Sequence, residues 1–182
     1  MIFEKKPEIK DYLEIAVELL DMGRNDGYIK SDGLANIPEL VVQANDVCKS
    51  IFYGINGQLK HAEPITIINT TLGWSAYAGI GAVYFWNEDY PALKEKGIYN
   101  TLTEKRGIDC MDEFVLDSIG MGFDSIEGKD LTDYLHLICD FALSNIKRLL
   151  DNRDMVLEQL TECYMAMYIF GMVYEMNRLG MK

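Results

Sequence analysis

The sequence is poor in proline and histidine, and its cysteines are widely spaced. Only 4 Pro occur among 182 residues, and the stretch 129–170 has neither Pro nor Gly, which favours long helices. The cysteines form no CxxC pair, so we expect buried free thiols at Cys48, Cys110, Cys139 and Cys163. The N-terminus lacks a basic segment followed by an apolar run, so we expect a cytoplasmic protein without a signal peptide.

The motifs of the common enzyme classes are also missing. The chain has two histidines, His61 and His136, and no GxSxG, HExxH, P-loop or GxGxxG sequence. These absences exclude the hydrolases, kinases and dinucleotide-binding enzymes that carry the usual motifs. We therefore expect no cofactor, and an enzyme is the less favoured interpretation.

Basic residues are scarce relative to acidic ones. The chain carries 29 Asp and Glu against 17 Lys and Arg, for a net charge of −12. A protein that binds nucleic acid through phosphate contacts carries the opposite sign, so we expect no direct nucleic-acid binding.

The acidic residues are concentrated in one stretch, residues 109–140, where Lys129 is the single base. Such a density of like charge repels itself and destabilises the fold unless a partner compensates it. We therefore predict that a basic partner protein binds this stretch. The predicted partner-binding residues are Asp109, Asp112, Glu113, Asp117, Asp124, Glu127, Asp130 and Asp133.

The function that follows is an acidic, non-enzymatic inhibitor. It would block a basic, nucleic-acid-handling protein such as a nuclease, as immunity proteins and phage anti-defence proteins of the anti-CRISPR kind do. The competing interpretation is that each of these acids stabilises the end of its own helix. Asp109 and Asp130 resemble helix N-caps, and Asp112, Glu113 and Asp133 would lie in first turns, where carboxylates complement the helix dipole.

A second function class is a small all-α, metal-dependent hydrolase that acts on a phosphorylated small molecule. Asp133, His136 and Asp140 would share one face of a helix, and Glu113 and Asp117 have the i, i+4 spacing. One such pair does not complete a magnesium site, which needs carboxylates from a second helix. We therefore assign no metal ligands.

The fold predicted from periodicity is an all-α single domain over residues 1–182, an irregular bundle of five to seven helices. Its centre would be two apolar segments, Thr71–Trp86 and Cys163–Tyr174. Small residues in the first segment, including Gly79, would let another helix approach closely. A minor β hairpin, between Gly23 and Gly57 or at Ile65–Thr71, is left open.

Two apolar segments of the sequence each have two interpretations. The uncharged stretch 65–86 is long enough to span a bilayer. Its many Thr, Ser, Gly and Ala residues make it too polar, and we expect no membrane contact. The last helix, at 155–179, is apolar on all sides in its middle, Cys163–Tyr174, which is typical of a central bundle helix or of a homodimer seam.

Overall fold

The described part of the chain is entirely helical. The computed structural model describes residues 11–30, 41–42, 44–86, 111–150 and 157–180, and these contain six helices and no strand. The helices are α1 (Tyr12–Asn25), α2 (Ala44–Gln58), α3 (Pro64–Trp86), α4 (Met111–Ser118), α5 (Ile126–Leu150) and α6 (Leu157–Arg178). The all-α prediction is confirmed for these residues.

Helices α3 and α6 form the centre of the molecule and make its most extensive helix–helix contact. They cross where glycines let the backbones touch. A Cβ atom built on Gly79 would lie 2.0 Å from the carbonyl oxygen of Tyr168, and one on Gly171 would lie 2.0 Å from that of Ala76. The predicted close approach at Gly79 is therefore confirmed, and its partner is Gly171.

The remaining helices pack around this central pair with one apolar face each. In α5 the buried residues include an apolar stripe with helical spacing, at Leu131, Leu135, Ile138 and Ala142. A single core cluster includes residues of all six helices. The apolar middle of α6 is covered by α1, α2, α3 and α5 of the same chain.

The segment Ile65–Thr71, where the sequence is compatible with a β hairpin, belongs to helix α3. Its hydroxyls bond to the preceding turn instead of competing with the helix. Thr70 Oγ1 donates to the carbonyl of Thr66 at 2.8 Å, and Thr71 Oγ1 donates to that of Ile67 at 2.7 Å. This back-bonding lets a β-branched, Thr-rich segment continue into a helix.

The prediction of a hairpin between Gly23 and Gly57 falls partly on residues outside the described ranges. The described part of that stretch is helix and turn. Among the described helices, none is long and apolar enough to cross a membrane.

Helix α5 begins earlier than the predicted start at Asp130. Its first residue is Ile126, and Ser125 caps it, with its Oγ accepting from the backbone N–H of Gly128 at 2.9 Å. Asp130 is therefore not an N-cap, and Asp133 does not lie in the first turn. In α4, Asp112 and Glu113 do occupy the first turn, as predicted. Asp109 lies outside the described residues.

Candidate functional site

Two recesses on the surface are lined by the acidic residues of interest. The first, called here the tyrosine groove, has a volume of about 570 Å³ and lies between the turn after α1 and the helices α5 and α6. The second, called the tryptophan cleft, has a volume of about 410 Å³ and lies between α3, α4 and α5.

A pair of stacked tyrosines joins the turn after α1 to helix α5 at the tyrosine groove. The rings of Tyr28 and Tyr134 are 3.7 Å apart between centroids and nearly parallel. The Tyr28 hydroxyl donates to Asp130 at 3.2 Å, and the Tyr134 hydroxyl donates to Asp26 at 2.8 Å. These reciprocal bonds fix two carboxylates from distant parts of the sequence on one side of the molecule.

Carboxylates around the groove raise the pKa values of its tyrosines. Burial raises the pKa of Tyr28, and the hydrogen bond to Asp130 and the charges of Asp130, Asp26 and Asp133 raise it further. Burial also raises the pKa of Tyr174 to about 12, with contributions from the charge of Glu175 and from those of Glu127 and Asp130. Asp26 and Asp130 line the groove, and Glu127 and Asp133 lie three residues before and after Asp130 on the same side of α5. We call these four exposed acids the acidic face: Asp26, Glu127, Asp130 and Asp133.

The structure thus brings some of the predicted partner-binding residues together and places others elsewhere. Asp112 lines the tryptophan cleft. Asp117 accepts the backbone N–H of Phe123 at 3.0 Å and so shapes the connection between α4 and α5. Glu113 and Asp124 are exposed. Sequence reasoning missed Asp26, although the Asn-Asp-Gly turn marked an exposed acid there.

Two cations also line the tyrosine groove, Lys30 and Arg178. The Arg178 guanidinium is paired with the carboxylate of Glu175, with an Nη2–Oε1 distance of 2.6 Å. Tyr84 donates a further hydrogen bond to that carboxylate. The charge of Arg178 is therefore balanced by Glu175, and among the described lining residues Lys30 is the remaining cation that faces the acidic residues of the groove.

The tryptophan cleft combines aromatic rings with carboxylates. Its walls carry Trp74 and Tyr77 from α3, Asp112 from α4, and His136 and Asp140 from α5. The indole and phenol rings meet edge to face, with centroids 5.9 Å apart. Among the described residues, no three His, Cys, Asp or Glu side chains lie close enough together to hold a metal ion.

Comparison of the chain with known protein families, with characterised proteins and with solved structures finds no match. The function is therefore inferred from the geometry and charge of these two recesses.

Proposed function

We propose that this protein is a non-enzymatic binding protein whose acidic face docks on a basic surface of a nucleic-acid-handling protein. The face would occupy the groove in which that partner holds phosphates, and so inhibit it. The observation that supports this proposal is that Asp130 of α5 and Asp26, which follows α1, line one groove, each held by one of the two stacked tyrosines.

The helix dipole accounts for Glu127, which lies in the first turn of α5, but not for Asp130 and Asp133. Since α5 begins at Ile126, Asp130 and Asp133 lie beyond its first turn, where a carboxylate gains little from the helix dipole. Their mutual repulsion with Asp26 and Glu127 is unfavourable in the free protein. A cationic partner turns that repulsion into attraction, which is the physical reason to expect one.

The stacked tyrosines of the groove are also suited to a binding interface. Tyrosine is enriched in binding interfaces because it combines a large apolar ring with a hydroxyl and loses little conformational entropy. Tyr28 is held in place by stacking on Tyr134 and by its bond to Asp130. The bonds from Tyr28 and Tyr134 therefore hold the carboxylates of Asp130 and Asp26 in place, and pre-organised groups lose less entropy when a partner binds.

The test neutralises the acidic face by combining Glu127→Gln, Asp130→Asn and Asp133→Asn. Wild-type and variant proteins are used to capture partners from an extract of the native host at low and at physiological salt. The captured protein is then identified, purified and assayed for nucleic-acid binding. We expect a basic protein whose nucleic acid is displaced by the wild type, and an affinity at least about tenfold weaker for the variant.

The matched control removes the same number of charges elsewhere, through Glu14→Gln, Asp46→Asn and Glu63→Gln, all of which are exposed. This control changes the net charge by the same amount but leaves the acidic face intact. It should therefore bind the partner as the wild type does, because the position of the charges decides the affinity. The proposal is wrong if both triple variants lose affinity equally, if salt has no effect, or if the partner keeps its nucleic acid in the presence of the protein.

A further inference from the structure

Helix α5 exposes two large apolar side chains on the side that carries the acidic residues. Ile126 is 89% exposed and Leu137 is 61% exposed. Every other exposed residue in the described range 126–145 of this helix is polar or charged. The two side chains do not belong to the core cluster, so their apolar surface is left in contact with water.

These two side chains and two of the carboxylates lie in one line along the helix. Ile126, Asp130, Asp133 and Leu137 follow one another at intervals of four, three and four residues, which is the spacing of a single helical face. We call these four residues the outer stripe. At a rise of 1.5 Å per residue, its two apolar ends are about 16 Å apart.

The arrangement distinguishes the outer stripe from the single apolar residues that are common on protein surfaces. Its apolar ends enclose the carboxylates of Asp130 and Asp133, neither of which forms an ion pair within the described part of the chain. Apolar contacts beside a carboxylate exclude water, and its attraction to a cation becomes stronger as water is removed. Both kinds of side chain therefore favour a cationic partner that also offers apolar contacts.

The outer stripe is continuous with the tyrosine groove. Asp130 belongs to the stripe, lines the groove and accepts the hydroxyl of Tyr28 at 3.2 Å. A specific protein interface covers about 800 Å² of each partner, which is more than a single groove supplies. A partner seated in the groove therefore also covers the adjoining stripe.

From these observations we propose that the partner covers the outer stripe, and that its basic surface there carries apolar side chains on both sides of its cations. This inference rests on the proposed function and adds the apolar chemistry of the partner. A nucleic acid would be repelled by the carboxylates. Two copies of this chain that met stripe to stripe would place like charges opposite each other, which is also unfavourable.

The experiment measures binding of the full chain to the basic protein that the wild type captures, by surface plasmon resonance at several salt concentrations. The variants are Ile126→Gln and Leu137→Gln, because glutamine is favourable in a helix and removes the apolar surface. We expect each change to weaken the affinity about tenfold, as the loss of one buried aliphatic side chain does. The loss should be similar at every salt concentration, since salt screens charges and not apolar contacts.

Two further variants serve as controls. Leu13→Gln removes an apolar side chain that is 46% exposed on α1, outside the stripe, and should bind as the wild type does. Leu137→Met keeps the stripe apolar and should retain the affinity. The inference is overturned if either stripe variant binds as tightly as the wild type, if Leu13→Gln loses as much affinity, or if the loss disappears at high salt.

The triple variant of the acidic face separates this inference from the proposed function. If the wild type captures no basic protein, or if the triple variant binds it equally well, the proposed function fails and the inference fails with it. If the triple variant loses the partner while both glutamine variants keep it, only the inference fails. Light scattering of the free chain adds one check: a dimer that Leu137→Gln dissociates would place a second copy on the stripe and contradict the inference.

Discussion

At the scale of single residues, Glu175 is the charged residue that is fully buried among the described residues. Its side chain is fully buried, and it accepts hydrogen bonds from Tyr84 and Arg178. Arg178 also donates to the carbonyl of Ile119 at 3.4 Å. This residue network ties the end of α6 to α3 and to the turn that follows α4.

We expect Arg178→Met to destabilise the protein by about 3 kcal/mol, because it leaves a buried carboxylate without its cation. Glu175→Gln should cost less, since the Arg178 side chain is 31% exposed and can turn to water. Urea unfolding monitored by circular dichroism measures both changes.

The double variant Arg178→Met, Glu175→Met provides the check. A buried pair replaced by apolar side chains of similar size often recovers much of the stability lost in the single variant. A double variant no more stable than Arg178→Met alone would show that the unpaired buried carboxylate is not the source of the effect.

At the scale of secondary structure elements, the crossing of α3 and α6 decides whether the core can form. The two glycines at the crossing leave no room for a methyl group, because each faces a carbonyl oxygen of the other helix. Backbone atoms cannot move aside as a flexible side chain can, so the helices themselves would have to separate.

We therefore expect Gly171→Ala to cost about 3 kcal/mol or more, or to prevent folding. The control is Gly57→Ala in α2, where an added Cβ has no neighbour within 4 Å. That change should stabilise the protein by about 0.5–1 kcal/mol, because alanine favours the helix. Thermal unfolding compares the two, and a Gly171→Ala protein as stable as the wild type would contradict the close crossing.

At the scale of the whole molecule, burial of the thiols makes the free energy of unfolding decrease at alkaline pH. Burial raises the pKa of Cys48, Cys139 and Cys163 to about 12, assisted at the last two by the neighbouring carboxylates of Asp140 and Glu162. These three are free thiols, as predicted, while Cys110 lies outside the described residues.

The sign of the effect follows from linkage. Each folded thiol has a raised pKa, so its contribution to stability is complete below the pKa of the unfolded thiol and is lost as the pH rises towards about 12. We expect the free energy of unfolding to fall by about 2 kcal/mol per thiol between about pH 8 and about pH 10.5.

Urea unfolding under reducing conditions at the two pH values measures this loss. Cys163→Ala serves as the comparison, because it removes one of the three titrating groups and should reduce the pH dependence without abolishing it. Equal stability of the wild type at both pH values would show that the thiols are not held neutral by the fold.

Much of the architecture was predictable from local pattern. The apolar stripe Leu131, Leu135, Ile138 and Ala142 identified the inner face of α5, because helical periodicity is a property of the sequence alone. The charge-free segments at 71–86 and 163–174 marked the central pair of helices. At Ile65–Thr71 the local pattern does not decide between strand and helix. The structure has a helix there, because back-bonding by Thr70 and Thr71 overrides β propensity.

The candidate site was less predictable. A count of charges found the acidic stretch, but it could not show that Asp130 joins Asp26 rather than Asp112. The tryptophan cleft went unrecognised because its residues come from three helices and form no motif. The part of the chain from residue 87 to residue 110, including Asp109, lies outside the described ranges.

The sequence by itself determined the helical class, the two central segments and the acidic balance, because periodicity, glycine content and charge are local or additive quantities. Tertiary structure alone decided which helices cross at Gly79 and Gly171, which acids meet around Tyr28, and which aromatic rings face Asp140. Those outcomes depend on how packed backbones place side chains that are far apart along the chain, and no local pattern encodes that placement.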